Sequence, residues 1–536
     1  MLTDLNFLRS GQIWPPIIEQ GRIGQYYHNK KIFENMHTEV YAETFNRVQR
    51  VIGNFEDIIS YGVLMNYPKK VSLKTADLLF GEPPRITSGE EGSTQQTAID
   101  KIIENNDLIN TSYEAAIDAS RYGDGIYTIY RNDEGVGRIE VCSPMVWYPI
   151  IFPDNVKRVQ YHVLAWSYQV GNYITGAPGG GVKFYLKVHI HEKGFYTEKL
   201  FRLAGAPIVE NGIPRIDNTK MPFLSPSIGM IVGGIANQEG EDVIVKTELS
   251  DFAVVHIPNV ATSDRLYGHD DYMDIDSLIS ELEVRMSQIS KILDEHSAPS
   301  MQGPPTVAEM GENGKWKVKP GRFFRTVNGE KVEYLTWDGQ LESAFKQIDV
   351  LLNQLYSISE MGAAIWGDLK NSTGAVPSGS ALRRLMVSAL AKVNRLKMRF
   401  DPAMKKAIKL CSELGGQNII RLNDVSITWQ DGLPTDELEN AQIINLRTGS
   451  KATMSRHTAL SRYDGLSDEQ CGEEIERIDE DEAMSNSLNL PGANLTGEPD
   501  DPQGDEIGGG TPGGQGEEEE EDASGAGNPG GVGGTV

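Results

Sequence analysis

Cysteine is nearly missing from this 536-residue chain: Cys142, Cys411 and Cys471 are the only three, and their spacing is far too wide for a metal knuckle. A disulfide-stapled secreted scaffold is excluded, and a reduced, cytoplasmic folding environment is expected. Long apolar runs are missing too. None approaches the ~20 residues that a membrane span needs, and the N-terminus lacks a basic segment followed by an apolar one. Membrane-spanning and signal-peptide readings go with them. Positive charge is the minority sign, with 50 Lys and Arg against 76 Asp and Glu. Catalytic signatures are absent as well: no phosphate-cradling G-x-x-x-x-G-K-S/T, no G-x-S-x-G elbow and no H-E-x-x-H occurs. No internal repeat of a solenoid period is found.

What is present is ordinary globular composition, 39% hydrophobic and 24% charged, over a length that implies two or more domains. The net charge of −26 is unevenly spread. Residues 464–482 contribute −9 and residues 498–522 contribute −11, which leaves −6 for the first 463 residues. The body is close to balanced, and whole-chain charge conceals a strongly basic stretch inside it.

That stretch belongs to a helical spine over 276–414. Leu278, Ile279, Leu282, Met286, Ile289 and Leu293 recur at helical spacing and predict a first helix over 276–295. Pro299, Gly303, Pro304 and Pro305 end the pattern. Val318, Phe323, Phe324, Val332, Tyr334 and Leu335 then read as short strands around the Asn328-Gly329 turn, a small β insert. Leu341, Phe345, Ile348, Leu352, Leu355 and Ile358 restart a helix that fades near Gly362, Trp366 and Gly367. After a polar loop at 371–377, Ser378 reads as the N-cap of a third helix. From 381 to 409 this helix holds Arg383, Arg384, Lys392, Arg395, Lys397, Arg399, Lys405, Lys406 and Lys409 against Asp401 alone. Pro402 predicts a kink or a re-capped second segment.

Ahead of the spine, 1–23 reads as an irregular arm, extended by Pro15 and Pro16 and able to reach over a neighbour. Residues 26–52, 58–79 and 98–120 read as helices. The second ends at Gly81, a C-terminal cap, before Pro83-Pro84. Residues 122–130 and 137–141 flank a hairpin turn at Asn132-Gly135, and 156–168, 183–191 and 194–203 extend a β region. Residues 203–248 are rich in Gly and Pro and carry little periodic signal, while 252–257 reads as one more buried strand. Beyond the spine, 425–429 alternates as a strand, and 436–448 and 455–460 read as short helices. Residues 498–536 have too few apolar side chains to order themselves.

Three constellations invite chemistry. His189 and His191 put two imidazoles on one strand face but lack a metal's remaining ligands, so an exposed strand pair is expected. Asp270, Asp271, Asp274 and Asp276 present carboxylates that a divalent cation would neutralise. Helix capping explains them more simply. The basic helix fits either a nucleic-acid surface or pairing with acidic neighbours.

Several stretches resemble the tailed-bacteriophage portal proteins of the SPP1 type, in order, from about residue 26 to 481. Asn66-Tyr67-Pro68-Lys69 through Leu78-Leu79-Phe80-Gly81-Glu82-Pro83 resembles the family's first wing helix and its ending. Ala119-Ser120-Arg121-Tyr122-Gly123-Asp124-Gly125 before a hairpin resembles its wing strands. Ser378-Gly379-Ser380-Ala381-Leu382-Arg383-Arg384-Leu385 resembles the segment after the tunnel loop. Gly432-Leu433-Pro434 with Thr458-Ala459-Leu460 resembles the late wing-to-crown stretch. No single motif is as specific as a Walker loop; their order, together with the succession helix, β insert, helix, loop, helix, is fairly specific.

The resemblance implies an α+β portal fold with an α/β wing, a helical stem, a small β-containing clip, a helical crown region and a disordered acidic tail. It divides the chain into an N-terminal arm (1–25), wing (26–272), stem helix (273–297), clip (298–340), second stem helix (341–367), tunnel loop (368–377), long basic wing helix and strand (378–432), crown (433–482) and tail (483–536). It implies no catalysis and no cofactor. The expected partners are about eleven further copies of the chain in a closed ring, the terminase large subunit, major capsid and scaffolding proteins, a head–tail connector or adaptor, and double-stranded DNA without sequence preference. The ring is expected in the virion at the capsid portal vertex, after assembly in the host cytoplasm. Asp368, Lys370, Asn371, Ser372, Thr373, Gly374, Arg383 and Arg384 would line the DNA channel. Trp316, Phe323, Phe324 and Trp337 would meet partners at the clip. The rival readings are a metal-dependent nucleic-acid-processing enzyme built on Asp270, Asp271 and Asp274, and a monomeric scaffold or adaptor.

Overall fold

In the computed structural model, the described residues are 1–46, 62–171, 181–297, 301–302, 309–310, 316–317, 333–334, 341–367, 383–416, 419–430, 437–449, 452–463, 466 and 468–488. Two compact units are present, Met1–Glu439 and Asn440–Val536.

Within the first unit, Pro16 stands immediately before helix α1 (Ile17–Phe33). Prolines at a helix start are preorganised for it, so Pro15-Pro16 launches a helix where the sequence suggests a continuing arm. The residues before α1 lie on their own chain. Strand β1 (Ile13–Trp14) pairs with β12 (Ile231–Gln238), Leu2 bridges Ile150, and Trp14 is fully buried against Tyr148. The arm is thus part of the fold and does not project from it.

Helix α2 is Tyr67–Phe80, with Asn66 accepting from the Lys69 N–H and Pro68 in its first turn. Proline is tolerated in the first turn of a helix, where its missing N–H is not needed, so Pro68 suits a helix start here, well after residue 58. Residues 62–66 form neither helix nor strand. Helix α3 (Thr94–Asn106) is capped by Ser93, and α4 (Leu108–Tyr122) stops at Gly123, φ 86°. A Cβ at Gly123 would lie 2.7 Å from the Gly268 carbonyl oxygen, so only glycine lets these two backbones meet.

Three antiparallel strands, β3 (Asp124–Arg131), β4 (Gly137–Val141) and β14 (Val254–Pro258), pack beneath α4 and the long helix α7 (Val387–Leu414). A second pair joins β2 (Arg85–Ser88) to β19 (Val425–Thr428). The core here runs from Val71, Leu79 and Ile99 through Tyr127 and Ile257 to Phe400, Met404 and Ile408.

The β region forms an eight-stranded antiparallel sheet. It contains β5 (Trp147–Phe152), β6 (Asn155–Val170), β7 (Lys183–Glu192) and β8 (Phe195–Ala204), in the order β1-β12-β8-β7-β6-β5, with β11 (Phe223–Leu224) on β12 and β13 (Val243–Lys246) on β8. Along β7, Phe184, Leu186, Val188 and Ile190 alternate into the core, the period of two expected of a half-buried strand. The stretch with little periodic signal is also β. Besides β11 to β13 it holds the ribbon β9 (Ala206–Glu210) and β10 (Ile213–Asp217), turned by Asn211-Gly212 with φ 53° and 78°.

Helix α5 (Asp276–Ser297) and helix α6 (Leu341–Ile358) pack through Leu282, Ile289 and Ile348. Between them β15 (Met301–Gln302) pairs with β18 (Glu333–Tyr334), and β16 (Glu309–Met310) pairs with β17 (Trp316–Lys317). Helix α7 continues through Pro402, so no second segment is re-capped there. In the second unit, α9 (Arg456–Tyr463) is tied to α10 (Asp468–Leu488) by Arg456, which reaches Asp479 and Glu482; α8 (Glu437–Thr448) spans the division between units. The last of these helices runs past the boundary expected at residue 482.

Candidate functional site

The spine places its charges differently from a metal centre. Asp270 accepts the N–H groups of Tyr272 and Met273 at 3.0 and 2.9 Å, a capping role. Asp271 faces Lys392 at 2.9 Å, and Asp274 is exposed. Asp276 accepts from the Tyr41 hydroxyl at 2.7 Å and sits 3.1 Å from His28. Burial works to raise the Asp276 pKa, but the hydrogen bonds from His28 and Tyr41 outweigh it and hold it below the usual carboxylate range. Asp270, Asp271 and Asp276 therefore each have their own partners, and Asp274 faces solvent. Among the described residues no three His, Cys, Asp or Glu side chains are grouped to hold a metal.

The basic helix resolves largely into internal ion pairs. On α7, Lys392 meets Asp271, Arg395 meets Glu360, Lys405 meets Asp401, Lys406 meets Asp251, and Lys409 meets Glu413. Burial opposes the ionisation of Asp251, yet Lys406 and Lys193 together hold its pKa down to about 2. Lys397 donates to the Gln430 carbonyl beside the Trp429 ring. A continuous cationic face on this helix is thus ruled out for these positions. Arg383 and Arg384 lie on a short helical stretch just ahead of α7 and are exposed.

Of the other channel candidates, Asp368, Lys370, Asn371, Ser372, Thr373 and Gly374 lie outside the described residues. So do Phe323, Phe324 and Trp337, and of Trp316 only the backbone pairing with Met310 is described. Just ahead of residue 368, Trp366 is held by rings on two sides, Tyr67 at 5.2 Å and Tyr356 at 5.7 Å, with the Lys70 ammonium 5.0 Å from its centroid.

The expected exposed histidine pair is instead inside: His191 is buried, His189 half-buried, and His162 stands opposite His191 across the strands. The Tyr196 ring on the neighbouring strand β8 lies 5.1 Å from His191 and 5.3 Å from His189, and Trp166 on β6 lies 5.0 Å from His189.

Sequence reasoning missed one buried pair altogether. His37 and Glu283 are both fully buried, with His37 Nδ1 2.5 Å from Glu283 Oε1 and its Nε2 2.9 Å from the Ile32 carbonyl. The same Glu283 oxygen accepts the Met65 N–H at 2.8 Å, and Ser287 accepts that of Val63 at 3.0 Å. Side chains of α5 thus satisfy two backbone N–H groups of the irregular 62–66 segment. The one local signal was a glutamate on the apolar face of a predicted helix.

Comparison with known proteins gives one family: the model described as "Phage portal protein, SPP1 Gp6-like" matches residues 22–488. Among solved structures, the chain is similar to the neck of a native GTA particle computed with C12 symmetry, at 11% identity and TM-score 0.36, covering 75% of this chain and 91% of that one. It is similar also to a chain from the virion of a native gene transfer agent particle, at 12% identity and TM-score 0.36, covering 77% and 94%. A third is the neck of an empty GTA particle computed with C6 symmetry, at 12% identity and TM-score 0.37, covering 75% and 88%. Among curated proteins none matches the sequence.

Proposed function

Because the chain belongs to the SPP1 Gp6-like family of phage portal proteins, we propose that it closes into a homo-oligomeric ring of about twelve copies at one capsid vertex. The ring is the channel for double-stranded DNA, docks the terminase motor at the clip during packaging, and then takes the head–tail connector on that surface. The protein works by geometry and charge and catalyses nothing itself.

Family membership carries this reading, and the spine supports it. After α5 and α6 have packed on each other, Leu293, Phe345, Val350 and Ile358 remain 43–54% exposed on them. A neighbouring copy in a head-to-tail ring would cover such residues, and cyclic closure would stop the assembly from growing into a filament. The residues from Asp368 through Lys370 to Gly374, with Arg383 and Arg384, are proposed to face the channel, where backbone phosphates are met without reading bases. Trp316, Phe323, Phe324 and Trp337 are proposed for the clip.

Negative-stain imaging and native mass measurement of the purified protein test the proposal. A discrete ring with a central channel is expected, and a monomer persisting across micromolar concentration would overturn it. Of the aspartates on which the enzyme reading rests, Asp270 caps the turn ahead of α5, Asp271 pairs with Lys392 and Asp274 faces solvent.

A further inference from the structure

We infer that Lys392 is a pivot that sets the direction in which the α5–α6 pair leaves the mixed body. The groups that carry it lie within one chain, so it holds whether or not rings form.

The ammonium of Lys392 is 2.9 Å from Asp271 Oδ2, with 5% and 8% of the two side chains exposed. It also donates to the Ser359 carbonyl at 3.4 Å. Asp271 lies just ahead of α5 and Ser359 just after α6, so one cation on α7 holds both feet of the helical pair. The carboxylate is otherwise satisfied by Ser120 Oγ at 2.6 Å and Asn259 Nδ2 at 3.0 Å. Ser120 in turn meets Ser72, which meets the Tyr272 hydroxyl at 2.8 Å. The network joins α2, α4, the loop after β14, α7 and both ends of the spine pair.

Beyond Ser359 the chain reverses sharply, with Glu360 at φ 60° and Gly362 at φ 66°, and Met361 between them is fully buried. Arg395, one helical turn beyond Lys392, pairs with Glu360 and pins the same reversal. Apolar side chains at this junction, among them Ile275, Ile279 and Leu355, supply burial without direction. The ion pair adds direction, because its desolvation cost is recovered only at short range and correct angle. An apolar replacement of equal volume would keep the burial and lose the angle.

Spin-label distance measurement tests this, using Leu293→Cys on α5 and Met398→Cys on α7, positions 50% and 67% exposed. Cys142→Ser removes the one half-buried native thiol, and labelled protein is diluted with unlabelled protein so that each distance lies within one chain. The parent should give a single narrow distribution. Lys392→Met alone should lower the melting temperature. The double variant Asp271→Leu with Lys392→Met should recover most of that loss yet broaden the distribution or split it. Lys392→Arg keeps the charge on a longer planar head and should shift the mean distance with folding intact. A narrow, unshifted distribution in the double variant, or in Lys392→Arg should the double variant not fold, overturns the inference.

Discussion

At the foot of α5 ionisable groups meet partners: buried Asp271 meets Lys392, buried Glu283 meets His37, and part-exposed Asp276 meets His28. In the eight-stranded sheet, His162 and His191 are buried side by side on neighbouring strands, and His191 has no hydrogen-bond partner on either ring nitrogen. His162 accepts the Trp147 indole N–H on Nδ1 at 3.0 Å, which requires a lone pair there. Burial first, then neighbouring imidazoles, push both histidines down to about 3. The same cost of desolvation is thus met by pairing in one region and by neutrality in the other. A paired site is sensitive to deletion of either partner, whereas a neutral site is sensitive to protons.

The largest expected effect follows from removing half a pair. Glu283→Leu strips His37 of its carboxylate and leaves the Met65 N–H without its acceptor, at a cost of about 3–5 kcal/mol. Urea or thermal unfolding at pH 7 measures it, and adding His37→Leu should restore a large part. A loss below about 1 kcal/mol in the single variant would show that this junction does not depend on its pairs.

Acid should strike the sheet first. For each of these histidines the folded pKa lies below the unfolded value, so the unfolded chain takes up a proton that the folded chain refuses. Their stability contribution is complete above 6.5 and is lost as pH falls from 6.5 towards 3. At pH 5 each would cost about 2 kcal/mol. Asp276 and Asp251, held low by their partners, begin to lose their contribution only as pH falls below 3.8. Hydrogen exchange at pH 7 and pH 5 should show β6 to β8 loosening before the foot of α5. His191→Phe, which keeps the ring against Tyr196 and removes its basic nitrogens, should flatten that acid dependence. Equal loosening of both regions would dissolve the contrast.

The sequence revealed these two regions unequally, for physical reasons. Alternation over 183–191 made β7 legible, and helical spacing made α5 and α6 legible, because both signals are local. Asn211-Gly212 was also a local signal, a turn dipeptide between two apolar runs. It was hidden because the strands around it have only five residues each. The distant partners of the cations on α7 were not legible: Lys392 and Asp271 lie 121 positions apart, and nothing in either neighbourhood names the other. Composition described a basic helix, whereas the fold supplied Asp251, Asp271 and Glu360 from three other segments, beside Asp401 and Glu413 on the helix itself. The channel and clip candidates rest on resemblance, since most of them fall outside the described residues.

The smallest effect on stability, and the one that tells function from packing, is expected at the edge of the paired region. Lys406 is two-thirds covered and matched to Asp251, whereas Arg384 is exposed on the short helical stretch just ahead of α7. Arg384→Gln should leave the unfolding midpoint nearly unchanged, within about 0.5 kcal/mol, as for most surface substitutions away from special features. Lys406→Met removes a partly exposed pair and should cost no more than about 1 kcal/mol. If the proposed channel holds DNA through residues near Arg384, neutralising it should weaken binding of duplex DNA to assembled rings alike for every sequence tried. The slope of log affinity against log salt should fall by about 1 for each phosphate that a bound duplex no longer has neutralised. Lys406→Met should leave that slope where it was, because its charge is already matched within the chain. An unchanged slope for Arg384→Gln would remove this residue from the DNA path, and a changed slope for Lys406→Met would show that the pairs on α7 open to admit phosphate.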